Sequence, residues 1–313
     1  GGLAGLELSE RAFYDSGLKE VVFEEGSRVT AIGDYTFANC KSLESFTIPK
    51  SMQTVGENAF YKCESLATLS FEEGGAGVSF GSGAFSNCTA LTSVYLPASV
   101  TELSFSVFDG CSNLAGVYVD ENNPNYTDVD GVLFDKNITE ILFYSMARKG
   151  DYVIPETVTT IGDSVFAENT SLQKITIGKN VTSIGDYAFQ YCSSLREVVF
   201  EAGGTEAITF GSHVFSYCNA LTEFTYPDRA TATGEYMFAW NENLKKVTLG
   251  SGIQTIDNYS FHYCLSLTTV AGATEESAEG KAVIPAGVTS IGTNAFAYTA
   301  IKQAVIPAGV TSI

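Results

Sequence analysis

The sequence is poor in the side chains that carry most enzyme chemistry, with two His, one Trp and three Met in 313 residues. Basic residues are scarce as well: 17 Lys and Arg stand against 36 Asp and Glu, a net charge of 17 − 36 = −19. So acidic a chain is repelled by nucleic-acid phosphates and by anionic membrane surfaces, and neither is an expected partner. No apolar run reaches the ~18 residues of a membrane-spanning helix, so no membrane insertion is expected. The opening text GGLAGLELSE has no Met, no basic stretch and no apolar leader core, so residue 1 is expected to lie inside a longer protein. Apolar material is not lacking. Hydrophobic residues make up 45% and charged residues 17%, which supports a packed core and excludes a disordered chain.

Length alone suggests two domains, but an internal repeat overrules that prior. Ala-Phe or a near variant recurs at Phe13, Phe37, Phe60, Phe85, Phe108, Phe166, Phe189, Phe215, Phe238, Phe261 and Phe296. The basic period is 23, with two long steps of 58 and 35. Residues 172–194 show the unit well: L-x-x-I-x-I-(P/G)-x-x-V-x-x-I-G-x-x-A-F-x-x-C. Leu172, Ile175 and Ile177 predict one short strand per coil with its apolar side inward. Pro49, Pro97, Pro155, Gly178, Gly250, Pro285 and Pro307 end these strands. Val181 and Ile184 return along the opposite side, Gly185 permits a tight backbone, and DYAFQYC is long enough for about one helical turn. A single coil cannot bury its own apolar face, so about eleven stacked coils are expected to form one core over 1–313.

The irregularities have their own text. The 58-residue step predicts an atypical coil plus a hairpin around Val132-Leu133-Phe134, within about 115–155. The 35-residue step holds AGATEESAEGKA, read as a projecting loop at about 271–282. The text stops in mid-unit at Ile313, so the chain is expected to be a fragment of a longer array.

The skeleton IPxxVTSIGxxAFxxCxSL resembles the treponemal, or BspA-like, class of leucine-rich repeats, and DENNPNYTDVDGVLFDKN resembles the atypical repeat found within such arrays. The likeness covers essentially the whole chain. It departs at Thr233, which replaces the inward Ile, and at Ser16, Asn169, Asn241 and Thr299, which replace Cys. The resemblance implies a leucine-rich-repeat solenoid on a bacterial or protist surface, binding host or neighbouring macromolecules without catalysis. It leaves the ligand open.

Candidate chemistry is sparse. Cys40, Cys63, Cys88, Cys111, Cys192, Cys218 and Cys264 all follow the repeat Phe by three residues and form a column. A metal would need thiolates that converge, whereas a column is linear. Disulfides fit the spacing of stacked coils but not the parallel direction of the side chains. Buried free thiols acting as small apolar residues fit best. His213 and His262 occupy different repeat positions with no third group to form a catalytic set, and read as surface residues. Asp120, Asn122, Asp128 and Asp130 in DENNPNYTDVDG have the oxygen chemistry of a Ca²⁺ loop but not its spacing, and Asn, Asp, Pro and Gly also gather in ordinary turns. No metal site or cofactor is therefore assigned.

The outward strand positions remain. Tyr95, Tyr118, Lys174, Arg196, Lys245 and Lys246 are the candidate ligand-binding residues, on a face that suits an acidic protein or glycan partner. The competing reading of that face is plain solvation, and Trp240 in the following turn is either a rim anchor or packing. At the level of function, a surface-displayed adhesion module competes with a stalk that spaces another domain from the cell. A monomer is expected in either case.

Overall fold

The computed structural model describes residues 5–104, 106–272, 274 and 278–313. These form two compact units, Gly1–Asn137 with Phe143–Ala147, and Ile138–Leu142 with Arg148–Ile313. Both are built from short parallel strands stacked coil on coil.

The coil at 172–194 shows how the text becomes structure. Strand Leu172–Ile177 alternates, with Leu172, Ile175 and Ile177 wholly buried. It pairs in parallel register with Glu197–Phe200, Lys174 opposite Glu197 and Ile177 opposite Phe200. A second strand, Ser183–Ile184, runs along the other side of the coil between Thr160–Ile161 and Thr209–Phe210. The coil therefore carries two strands, where the sequence predicts one. The returning segment V-x-x-I is itself apolar inward and rich in Thr and Ser, and its backbone N–H groups find acceptors in the neighbouring coil: Thr182 N donates to Thr159 O at 2.8 Å. The first unit repeats the plan. A five-stranded parallel sheet joins Leu6–Leu8, Val29–Ile32, Thr54–Val55, Val78–Phe80 and Val100–Leu103 in that order. Ser45–Ile48 pairs with Thr68–Phe71, and Val94–Leu96 with Val117–Val119, on the other side of the coils.

The expected helical turn is absent, and no helix occurs among the described residues. In DYAFQYC every second N–H leaves the turn for the next coil: Tyr187 N to Ser212 O, Phe189 N to Val214 O and Tyr191 N to Ser216 O, at 2.9 to 3.0 Å. A helix would spend these donors on itself. Turning them outward places Tyr187 and Tyr191 in the left-handed region, at φ 57° and 59°. Tyr35 and Asn39 do the same in the first unit, at φ 55° and 61°. Two residues per turn thus adopt a conformation that most side chains avoid, and the return is a third ladder of coil-to-coil hydrogen bonds.

The repeat Phe lies between those two residues and stacks on its equivalents. Ring centroids are 5.2 and 5.0 Å apart along Phe37, Phe60 and Phe85, and 4.7 and 4.9 Å apart along Phe166, Phe189 and Phe215. All six rings are fully buried. The Ile-Gly-Asp step locks successive coils together. A Cβ on Gly185 would lie 2.7 Å from Asp163 N and 2.8 Å from Gly162 C of the preceding coil. Gly185 is needed for that close approach and not for a left-handed φ. Asp163 Oδ1 then accepts Asp186 N at 2.8 Å, and Asp186 Oδ1 accepts Ser212 N at 2.7 Å. These carboxylates bind the donors at the turn entrances.

In the first unit, Tyr126–Val129 and Val132–Asp135 form an antiparallel hairpin with Val129 opposite Val132. Its two turn residues are Asp130 and Gly131, at φ 53° and 77°, the conformation that an Asp-Gly hairpin turn favours. Buried Asn123 pins its base, donating through Nδ2 to Pro97 O and Val100 O and accepting from Asn125 N and Tyr126 N. In the second unit the segment 271–282 partly falls on residues 273 and 275–277, outside the described residues. Its two ends belong to strands Thr269–Gly272 and Lys281–Val283, paired in parallel through Val270 and Ala282. Insertions that contribute strands without a repeat Phe raise the count to about 13 turns, against the eleven read from Phe spacing.

Candidate functional site

The six predicted strand-face residues fall into two groups. In the first unit Tyr95 and Tyr118 are register partners on adjacent strands. They are 53% and 44% exposed, because the inward positions Val94, Leu96 and Val117 are buried. Both rings are anchored. Tyr95 donates its hydroxyl to Asp120 Oδ2 at 2.8 Å, and that bond raises the phenol pKa. The same carboxylate accepts Asn122 N, which with the Tyr95 bond holds Asp120 below its usual range. The Tyr118 ring covers the close contact of Gly116 with Gly131; its Cζ lies 3.3 to 3.4 Å from where a Cβ would stand at either glycine.

In the second unit Lys174 meets Glu197 at 2.8 Å across the register, so its charge is already matched. Arg196, Lys245 and Lys246 are exposed. Lys246 lies opposite Glu223 in the parallel pair and opposite Thr269 on its other side. Of the four cations, Lys174 is thus the one already engaged by a carboxylate.

The turns of the second unit hold an arrangement that the sequence reading missed. The two left-handed positions, two residues before and two after the repeat Phe, carry aromatic side chains on successive coils. Before the Phe, Tyr187, His213, Tyr236 and Tyr259 stack with centroids 5.1, 4.5 and 4.5 Å apart. After it, Tyr191, Tyr217, Trp240, Tyr263 and Tyr298 stack at 4.5, 5.1, 6.2 and 4.3 Å. Trp240 is therefore a rung of a ladder. His262 stands edge-on to Trp240, Tyr259, Tyr263 and Tyr298, between the two columns. Burial lowers the pKa of both His213 and His262. Tyr at fixed offsets from Phe was the available signal.

All seven Cys are free and buried. Each thiol points at the carbonyl of the repeat Phe one coil back: Cys192 Sγ to Phe166 O at 3.0 Å, Cys218 Sγ to Phe189 O at 3.1 Å and Cys264 Sγ to Phe238 O at 3.1 Å. Asn241 shares the slot because its Nδ2 donates to Phe215 O at 2.8 Å. Its Oδ1 is left buried without a partner. Burial pushes Cys63, Cys111 and Cys192 up to about 12 and raises Cys88, Cys218 and Cys264 as well. These thiols do not ionise at neutral pH and are not nucleophiles.

The profile of the BspA-type leucine-rich-repeat region matches in six copies, over residues 6–134, 136–270 and 276–313. The chain belongs to the BspA-type leucine-rich-repeat family. Among solved structures it is similar to the pneumococcal vaccine antigen PcpA, with a TM-score of 0.74 at 23% identity over 96% of this chain and 76% of that one. A leucine-rich cell surface protein of Faecalibacterium prausnitzii gives a TM-score of 0.70 at 25% identity, over 86% and 77% of the two chains. A leucine-rich repeat protein of Eubacterium ventriosum gives 0.69 at 23% identity, over 91% and 84%. A comparison with curated proteins finds no match.

Within these BspA-type repeats the acidic hairpin works as a set of turn caps. Asp128 accepts Val119 N through one oxygen and Gly131 N through the other. Asp120 is engaged by Tyr95 and Asn122. Two of the four residues offered as Ca²⁺ ligands, Asp120 and Asp128, thus accept hydrogen bonds from protein donors. Among the described residues no three His, Cys, Asp or Glu side chains gather as a metal site.

Proposed function

We propose that the chain is a non-catalytic adhesion module displayed outside the cell, which recognises a protein or glycan through its strand faces. The observation that supports this reading most is the division of labour within each coil. Inward positions of the inner coils' strands are mostly buried and apolar, while the outward ones change from coil to coil and expose Tyr95, Tyr118, Arg196, Lys245 and Lys246. Membership of a repeat family with a cell-surface protein among its structural neighbours agrees with it.

The test is binding of the purified chain to arrayed surface proteins and glycans, repeated with Tyr95→Ala/Tyr118→Ala and with Lys245→Glu/Lys246→Glu. A binding face built on a few anchors loses on the order of 2 kcal/mol in at least one variant. Unchanged affinity in both variants refutes the strand face as the site. Absence of any ligand favours the stalk.

A further inference from the structure

The tyrosines of the turn ladders are paired for a chemistry that adhesion does not use. Three pairs on adjacent coils of the second unit have nearly parallel rings in contact: Tyr191 with Tyr217 at 4.5 Å and 19°, Tyr236 with Tyr259 at 4.5 Å and 2°, and Tyr263 with Tyr298 at 4.3 Å and 18°. Trp240 lies between Tyr217 and Tyr263, nearly parallel to both, so the five rings of that ladder are continuous. Tyr191 and Tyr298 are 43% and 61% exposed, which opens the ladder to solvent-borne reagents.

We propose that these three pairs are sites of oxidative cross-linking, at which a one-electron oxidant of the peroxidase–peroxide class joins neighbouring coils through dityrosine. Each phenol of a pair gives up one electron and one proton. The two phenoxyl radicals form a carbon–carbon bond between ring positions ortho to the hydroxyls, and the hydrogen on each of those carbons is lost as a proton while each oxygen regains one. Two electrons and two protons leave in all, and these reduce one hydrogen peroxide to two waters. The stack supplies what such coupling lacks in solution, a second phenol already beside the first. Equivalent side chains on successive coils leave their backbones in the same direction, so like edges of the two rings lie side by side. The product closes loops of 26, 23 and 35 residues (217 − 191, 259 − 236 and 298 − 263), which restricts the unfolded chain as other covalent staples do.

The arrangement also says which exposed tyrosines stay single. Tyr14 is 46% exposed, but its hydroxyl accepts Asn39 Nδ2 and its ring is in no stacked tyrosine pair. Tyr187 is 40% exposed in the first ladder, yet its stacked neighbour is His213.

The dilute protein is treated with peroxidase and hydrogen peroxide. The monomer is isolated, and its dityrosine fluorescence and cross-linked peptides are measured. The expected products are monomers lighter by two hydrogens per link, with 191–217, 236–259 and 263–298 joined. Links there exceed those at Tyr14 or Tyr187 by about tenfold or more, since only the stacked rings have a partner in place. Tyr236→Phe, which keeps the ring stack, removes the 236–259 link and leaves 263–298. His213→Tyr, which completes the first ladder, adds a link at Tyr187 or Tyr236. Absence of intramolecular dityrosine, a majority of intermolecular links, or equal labelling of Tyr14 overturns the proposal.

Discussion

Gly185→Ala isolates the contact that sets coil spacing. The added Cβ falls 2.7 Å from Asp163 N and 2.8 Å from Gly162 C, both backbone atoms of the preceding coil, and it also presses on Asp163 Oδ1. Backbone cannot swing aside as a side-chain tip does, so the coils must part locally. Overpacking of that kind costs about 1–3 kcal/mol. The same displacement strains the bond from Asp186 N to Asp163 Oδ1, and hydrogen bonds to charged groups contribute about 1.5–3 kcal/mol. A loss of about 3 kcal/mol or more is expected. Gly178→Ala, seven residues earlier, is the control. Its Cβ would meet nothing nearer than Glu201 Oε2 at 3.8 Å and Ile154 O at 4.0 Å, without a left-handed φ. It should be neutral or stabilise by about 0.4–1 kcal/mol through the unfolded chain. Urea unfolding followed by fluorescence of Trp240, the single Trp and a rung of the same unit's ladder, reads both variants. Gly211→Ala should reproduce the Gly185 effect, because its Cβ would lie 2.6 Å from Asp186 N. Equal midpoints for Gly185→Ala and Gly178→Ala would refute the close-approach argument.

Thiol reagent should label the native protein slowly and all seven Cys on unfolding, since every thiol is buried and hydrogen-bonded to a carbonyl; fast labelling of several native thiols contradicts this. Asn241→Cys should stabilise by roughly 1 kcal/mol in denaturant titration, because it keeps a donor to Phe215 O and removes the orphaned Oδ1. With His213 and His262 lowered in the fold by burial, the unfolded chain binds more protons near its own pKa of about 6.5. Stability contributed by the two imidazoles is complete above about 6.5 and is lost as pH falls below it, so Tm should decline between pH 6.5 and 5, and less so in His262→Phe. Burial raises Asp257, whose folded form retains its proton longer and loses stability as pH rises through its folded pKa. Asp257→Asn, which keeps an acceptor for Gly234 N, should raise Tm at pH 7.

Period, inward strand positions and the thiol column were readable because each depends on residues within one coil or on strict recurrence. Leu172, Ile175 and Ile177 are buried where their spacing puts them, and Asn241 fits the Cys slot because both side chains donate. The second strand at Ser183–Ile184 was hidden because two residues show no alternation and become a strand only through Thr160–Ile161 and Thr209–Phe210. The turn misled for a related reason: DYAFQYC is long enough for one helical turn, and the donors that prevent it point to another coil. At the strand face, exposure of Tyr95 and Tyr118 was legible, but their anchoring by Asp120 and by the Gly116–Gly131 contact arises from the hairpin insertion. The tyrosine ladders have the plainest text of all, yet one Tyr in one turn looks like any exposed side chain.

The paired left-handed residues of each turn make a coil poor company for itself. Strain at Tyr187 and Tyr191, of order 1–2 kcal/mol at each, is met only by acceptors on the next coil. An isolated coil would carry the strain without the reward and would not hold this shape. Within each unit, growth must therefore begin from a small group of coils formed together and then proceed by addition to an exposed end, as in a one-dimensional lattice with strong neighbour coupling. A lesion in one turn withdraws donors from its own coil and the template from the coil beyond, so damage in mid-unit should divide the unit into two shorter runs rather than weaken it evenly.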